Sequence, residues 1–131
     1  MKLNTLKSIS LRKQWPDEAK HFTPWLASDE GLNLLGEALG MELILEDTEV
    51  YVGNYRADIV AKDALTNEYV VIENQLTSTN HDHIGKLFTY SASFGATVLV
   101  WIAEKLRDEH RQAIDWFNDI TTENVDFFGI E

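Results

Sequence analysis

The 131-residue sequence contains no cysteine, so disulfides and thiolate metal sites are excluded and a reducing interior is unremarkable. Proline is scarce: Pro16 and Pro24 both fall in the first quarter, and residues 1–27 read as an irregular N-terminal arm with room for a short helix. Residues 28–131 then form a single domain. No run approaches the roughly 18 apolar residues of a membrane span. The opening MKLNTLKSISLRKQW is basic but lacks the apolar run of a signal peptide. The default expectation is a cytoplasmic protein with no membrane partner.

Positive charge is also scarce. Eleven basic residues face 22 acidic ones, for a net charge of −11 and a pI near 4.7. Nucleic-acid binders usually carry a basic surface, because phosphate contacts and counterion release supply most of their affinity. Residues 1–20 carry a local +3, from Lys2, Lys7, Arg12, Lys13 and Lys20 against Asp17 and Glu18. The remainder is −14, from 6 basic and 20 acidic residues. Such acidity argues against tight duplex-DNA binding by this chain alone.

The periodicity is clear after residue 27. Ser28 is placed to cap a helix, Asp29 and Glu30 suit its first turn, Leu32, Leu35 and Leu39 form a stripe, and Gly40 stops it. Strand-like segments follow at Met41–Val50, Tyr55–Lys62 and Tyr69–Leu76, the last two joined by a turn-rich stretch from Asp63 to Asn67. The spacing predicts a helix over Asp82–Phe94 ended by Gly95, capped by Asn80 or Asp82. A buried strand over Ala96–Ala103, a helix over Lys105–Ile120 and an edge strand over Val125–Ile130 complete the chain. The order α-β-β-β-α-β-α-β implies an α/β fold, a mixed sheet flanked by helices.

If the hairpin is symmetric about Leu65 and Thr66, facing residues have numbers that add up to 131, and Asp58 faces Glu73. Directly opposed Cβ atoms lie about 4.5–5.5 Å apart. Two carboxylates that close inside apolar strands repel, and a hard cation such as Mg²⁺ relieves the repulsion while keeping water and phosphate as further ligands. Gln75, two residues beyond Glu73, shares its face. The bland alternative stands beside this one: Asp58 ends an edge strand, and Glu73 pairs with Arg56 or Lys86. His81-Asp82-His83 looks like a metal cluster, but i and i+2 do not converge on a helix, so capping is the better reading. Trp101, Trp116, Phe117, Phe127 and Phe128 read as core or interface residues before base-stacking platforms. Trp15, Phe22 and Trp25, beside the basic arm, are better placed to contact a partner, although packing against the domain is the simpler expectation.

An acid-bearing helix followed by Asp, a hairpin and Glu-X-polar resembles the PD-(D/E)XK superfamily, which includes restriction endonucleases, RecB-like nucleases and archaeal Holliday-junction resolvases. The stretches HFTPWLASDEGLNLLGEALG, YRADIVAKD, VVIENQLTSTNHDHIGKLFTYSASFGATVLVWI and HRQAIDWFN look like a bacterial branch of it, a domain of unknown function that is sometimes followed by a further C-terminal region. The resemblance covers roughly residues 15–130, and ENQL-x-x-T-x-HDH is its most specific part.

The resemblance implies a restriction-endonuclease-like fold and a divalent-metal-dependent nuclease using Mg²⁺ or Mn²⁺, with DNA or RNA as substrate. Asp58 and Glu73 match the metal-binding carboxylates, and Gln75 takes the place of the lysine. Glu37 looks like the acidic residue that resolvase-like members place near the metal. Lys86 and Tyr90 occupy the spacing of a Gln-X-X-X-Tyr pair, and His83, one turn before Lys86, is placed to line the site. Ala57 replaces the motif's proline. The exchange of lysine for Gln75 removes a charge that orients water and stabilises the phosphorane, and Lys86 is placed to restore it. The resemblance also admits a homodimer, an additional C-terminal domain or a protein partner. The other class of reading is a non-catalytic module of the same fold that binds a partner or dimerises.

Overall fold

The computed structural model describes residues 22–53, 55–78, 80–121 and 124–131. Most of the expected arm, Trp15 included, lies outside the described residues. Its end does not: α1 (Thr23–Leu26) starts with Pro24 in its first turn, and Phe22 and Leu26 are buried in the core with Leu32 and Leu35. Then come α2 (Asp29–Leu39), β1 (Leu43–Val52), β2 (Tyr55–Asp63), β3 (Tyr69–Ser78), α3 (His81–Phe94), β4 (Val98–Lys105), α4 (Asp108–Ile120) and β5 (Asp126–Ile130). Apart from α1, this is the order expected from periodicity.

The helix ends follow from local chemistry. Ser28 Oγ accepts the Gly31 N–H at 3.2 Å, and Asn80 Oδ1 accepts the His83 N–H at 3.0 Å, so each caps a first turn. Asn80, not Asp82, is the cap of α3. Gly40 and Gly95 end α2 and α3 in the left-handed conformation, with φ of 74° and 62°. Where α1 meets α2 the backbones nearly touch: a Cβ on Gly31 would lie 2.6 Å from Leu26 Cα and closer still to the Trp25 carbonyl oxygen.

The five strands form one sheet in the order β1-β2-β3-β4-β5. β1, β2 and β3 are an antiparallel meander, whereas β4 and β5 join in parallel through the crossovers carrying α3 and α4. The β2–β3 register pairs Ile59 with Ile72, Val60 with Val71, Ala61 with Val70 and Lys62 with Tyr69. Every pair adds up to 131, as the symmetric hairpin requires. In β1 the ladder shifts between Leu45 and Asp47, and Glu49 takes a positive φ of 52°.

Strand alternation divides the core in two. On one face Ile59, Ala61, Val70, Ile72 and Val100 pack under Phe22, Leu26, Leu32 and Leu35 of the α1–α2 layer. On the other, Val60, Val71, Leu99, Trp101 and Phe127 pack under Leu87 and Tyr90 of α3 and Ile114 of α4. Trp101, Phe127 and Phe128 are buried, while Trp116 is 64% exposed. Among the described residues no helix is long and apolar enough to cross a membrane.

Candidate functional site

The β2–β3 ladder ends at Ile59 and Ile72, one residue short of Asp58 and Glu73. There the Asp58 carboxylate takes over the role of a strand carbonyl: its Oδ2 accepts the Asn74 N–H at 2.8 Å. Asn74 turns its side chain to the opposite face, where Nδ2 donates to Thr23 Oγ1 at 3.0 Å in the buried seam with α1. Glu73 and Gln75 alternate with Asn74 onto the α3 face, and both are buried.

α3 closes over these groups. His83, Lys86 and Tyr90 recur at three- and four-residue intervals, and so share one helix face. His83 Nε2 lies 4.0 Å from Glu73 Oε1. Tyr90 is buried, hydrogen-bonded to the Arg56 backbone and close enough to Glu73 and Asp58 for their charges to oppose its ionisation. Lys86 Nζ stands 3.3 Å from Asp82 one turn back, and its positive charge is felt at Asp58. Arg56 Nη1 lies 3.7 Å from Glu49.

Burial dominates the electrostatics. It pushes the Asp58 carboxyl up to about 6, against the opposing pull of the Asn74 N–H and the Arg56 and Lys86 charges. Burial, helped by Lys86, holds the His83 imidazole below its usual range and so neutral at pH 7. Tyr90 is pushed up to about 12 by burial and then by Glu73, so its hydroxyl keeps its proton.

The fold thus gathers six of the seven residues singled out in the sequence: Asp58, Glu73, Gln75, His83, Lys86 and Tyr90. It does not bring Glu37 to them. That residue is exposed on α2, whose apolar stripe packs against the other face of the sheet. Leu32 and Leu35 decide which way α2 turns, and Glu37 follows them.

Two residues that the sequence did not flag as linked to the site also meet here. Trp101 Nε1 donates to Gln75 Oε1 at 3.2 Å. The Trp101 ring lies 5.2 Å, between centroids, from that of His110, whose Nε2 is 2.9 Å from His81 Nδ1. As expected, then, His81 and His83 do not converge: one faces α4, the other Glu73. Burial and the neighbouring His81 hold His110 below its ordinary value. Its contribution to stability is therefore complete above the unfolded value of 6.5 and is lost as the pH falls through the lower folded one. Between pH 7 and 5 the wild-type melting temperature is expected to fall more steeply than that of His110→Gln, as scanning calorimetry can measure. Parallel slopes would contradict this.

Among the described residues no group of three or more His, Asp or Glu side chains is arranged to hold a metal. A hard cation that keeps its waters needs only one or two carboxylates, and Asp58 and Glu73 are the two that could supply them. Their oxygens suit Mg²⁺ or Mn²⁺ better than a thiophilic metal.

Neither a protein-family model nor a curated protein matches the sequence. Solved structures do match the fold. A repair endonuclease from Pyrococcus abyssi superposes with a TM-score of 0.51 at 15% identity, over 79% of this chain and 47% of its own. EndoMS, in a complex with double-stranded DNA, gives 0.50 at 14% identity, over 80% of this chain and 45% of its own. The fold is restriction-endonuclease-like. The chain spans about half the length of these two proteins.

Proposed function

We propose that this restriction-endonuclease-like chain is a divalent-metal-dependent nuclease of the PD-(D/E)XK type, hydrolysing phosphodiester bonds in DNA or RNA. One observation carries the reading: Asp58 and Glu73 stand together where the β2–β3 ladder ends, under a helix that presents His83, Lys86 and Tyr90. A structural neighbour that is a repair endonuclease, and a second that is in a complex with double-stranded DNA, support nucleic acid as the substrate class. The reading carries with it the bacterial branch described above, with the cytoplasm as the place of action.

Asp58 and Glu73 would hold Mg²⁺ or Mn²⁺, which when bound acidifies water and stabilises negative charge developing on phosphorus. The protein's own groups do the rest. Lys86 supplies the positive charge that Gln75 lacks. His83, neutral at pH 7, can take a proton at Nε2. Tyr90 stays protonated and donates.

A non-catalytic interaction or dimerisation module, paired with a second copy, a further C-terminal domain or a protein partner, is the second reading. The net charge of −11 and the uncharged Gln75 favour it. Calorimetric titration of Mg²⁺ and Mn²⁺ into wild type and Asp58→Ala, with cleavage of labelled single-stranded, duplex and branched DNA, separates the two. The nuclease reading expects wild-type binding that strengthens as the pH rises through about 6, where Asp58 loses its proton, and at least about tenfold weaker binding in the variant. Binding by neither protein would sink the nuclease reading and leave the module.

A further inference from the structure

The amino ends of α3 and α4 meet through two imidazoles. His81 opens α3 and is exposed, whereas His110, in the first turn of α4, is buried against the Trp101 ring. His110 Nε2 lies 2.9 Å from His81 Nδ1, with the two rings nearly perpendicular at 89°. A neutral imidazole has one N–H and one lone pair, so a single proton is shared between these two nitrogens. Burial and the neighbouring His81 hold His110 below its ordinary value, which keeps a second proton off it at pH 7.

Two imidazole nitrogens this close also suit a transition metal. Bonds of about 2.0–2.1 Å set cis nitrogens about 2.9 Å apart at a right angle and about 3.3 Å apart at a tetrahedral one. The first spacing is the one present, and a small outward swing of the exposed His81 ring reaches the second. His110 is already fixed by its packing, so little side-chain freedom is lost on binding. Helix amino ends repel cations, but Asp82, Asp108 and Glu109 stand in the same two first turns and offset that repulsion.

We propose that His81 Nδ1 and His110 Nε2 form a metal site, separate from the carboxylates of β2 and β3, for a nitrogen-preferring divalent transition metal such as Zn²⁺ or Ni²⁺. Coordination takes both lone pairs. The shared proton moves through water to the far nitrogen of the ring that carried it, so both imidazoles stay neutral. Water completes the shell. Imidazole suits such metals, whereas carboxylate oxygens suit Mg²⁺ or Mn²⁺, so the two sites differ in kind. The bound metal ties α3 to α4 at their first turns, and the inference stands whether or not the chain is a nuclease.

The test titrates Zn²⁺ into Asp58→Asn, which removes a carboxylate from the other site and keeps both histidines. The same titration is made with His81→Gln or His110→Gln added to that parent. Calorimetry and thermal unfolding are the readouts, and neither depends on cleavage. His81 is exposed, so His81→Gln is expected to fold as its parent does even if His110→Gln does not. Either change is expected to weaken Zn²⁺ binding by about tenfold or more. Saturating Zn²⁺ is expected to raise the parent's melting temperature by about 5 °C, a rise that His81→Gln abolishes. Zn²⁺ affinity unchanged by His81→Gln, or no binding by the parent, overturns the proposal. A Zn²⁺-dependent dimer in sedimentation velocity also overturns it, because the metal would then join two molecules and not two helices.

Discussion

Asp58→Asn is expected to give a protein that melts higher than wild type at pH 7–8 yet neither binds Mg²⁺ nor cleaves. An asparagine keeps an oxygen for the Asn74 N–H and removes the carboxylate that burial holds at about 6. Because the folded value lies above the ordinary 3.8, the stability this group contributes is complete below pH 3.8 and is lost as the pH rises through about 6. A shift of about two units at 1.36 kcal/mol each sets the gain from removing it at roughly 3 kcal/mol or less above pH 6, vanishing below pH 4. The functional loss runs the other way. Removing a metal ligand takes away several kcal/mol of charge stabilisation, about 10³-fold or more in rate. Denaturant unfolding across pH 4–8, beside calorimetry and cleavage assays, checks both halves. A variant less stable than wild type at pH 8 would mean that Asp58 is a structural carboxylate. The opposite result is the trade of stability for activity expected of a site built to receive a cation.

Gly31→Ala is expected to be the most damaging single-methyl change in the α1–α2 layer, at about 3 kcal/mol, or a fall of roughly 10 °C in melting temperature. The added Cβ meets the backbone of Trp25 and Leu26, which cannot turn aside as a side chain can. Prising α1 from α2 also moves Thr23, the partner of Asn74, whose own N–H holds Asp58. Gly85→Ala is the control. It adds the same methyl in open space on an exposed turn of α3, and is expected to stabilise by about 0.5–1 kcal/mol through helix propensity. Equal effects at the two positions, read by thermal unfolding, would contradict the close approach.

Where the structure follows from neighbours in sequence, the sequence alone was enough. Ser28 and Gly40 mark the ends of α2, Gly95 marks the end of α3, whose cap was narrowed to Asn80 or Asp82, and the turn between β2 and β3 sets a register that brings Asp58 toward Glu73. Where an outcome depends on how layers pack, it was not legible. Glu37 shares the motif's spacing, but the leucines beside it commit α2 to the far side of the sheet. The Trp101–Gln75 and His81–His110 contacts span 26 and 29 residues and arise only once the parallel crossovers are in place. The helical spacing of His83, Lys86 and Tyr90 was readable as a shared face, but the burial that lowers the His83 imidazole and raises the Tyr90 hydroxyl is something periodicity does not quantify.

The strand order also bears on how the protein resists clumping. The runs best suited to stacking into fibrils, VVIENQL in β3 and VLVWIA in β4, are both interior strands with a neighbour on each side. The sheet instead ends at β5, only 5 residues long, and at β1, where Glu46, Asp47 and Glu49 are exposed, the ladder is kinked and one residue is left-handed. Such edges offer a poor template for another molecule's strand, and the surrounding negative charge keeps like molecules apart. The same acidity that argues against duplex binding thus serves the folded chain as a colloidal safeguard, one that screening salt would weaken.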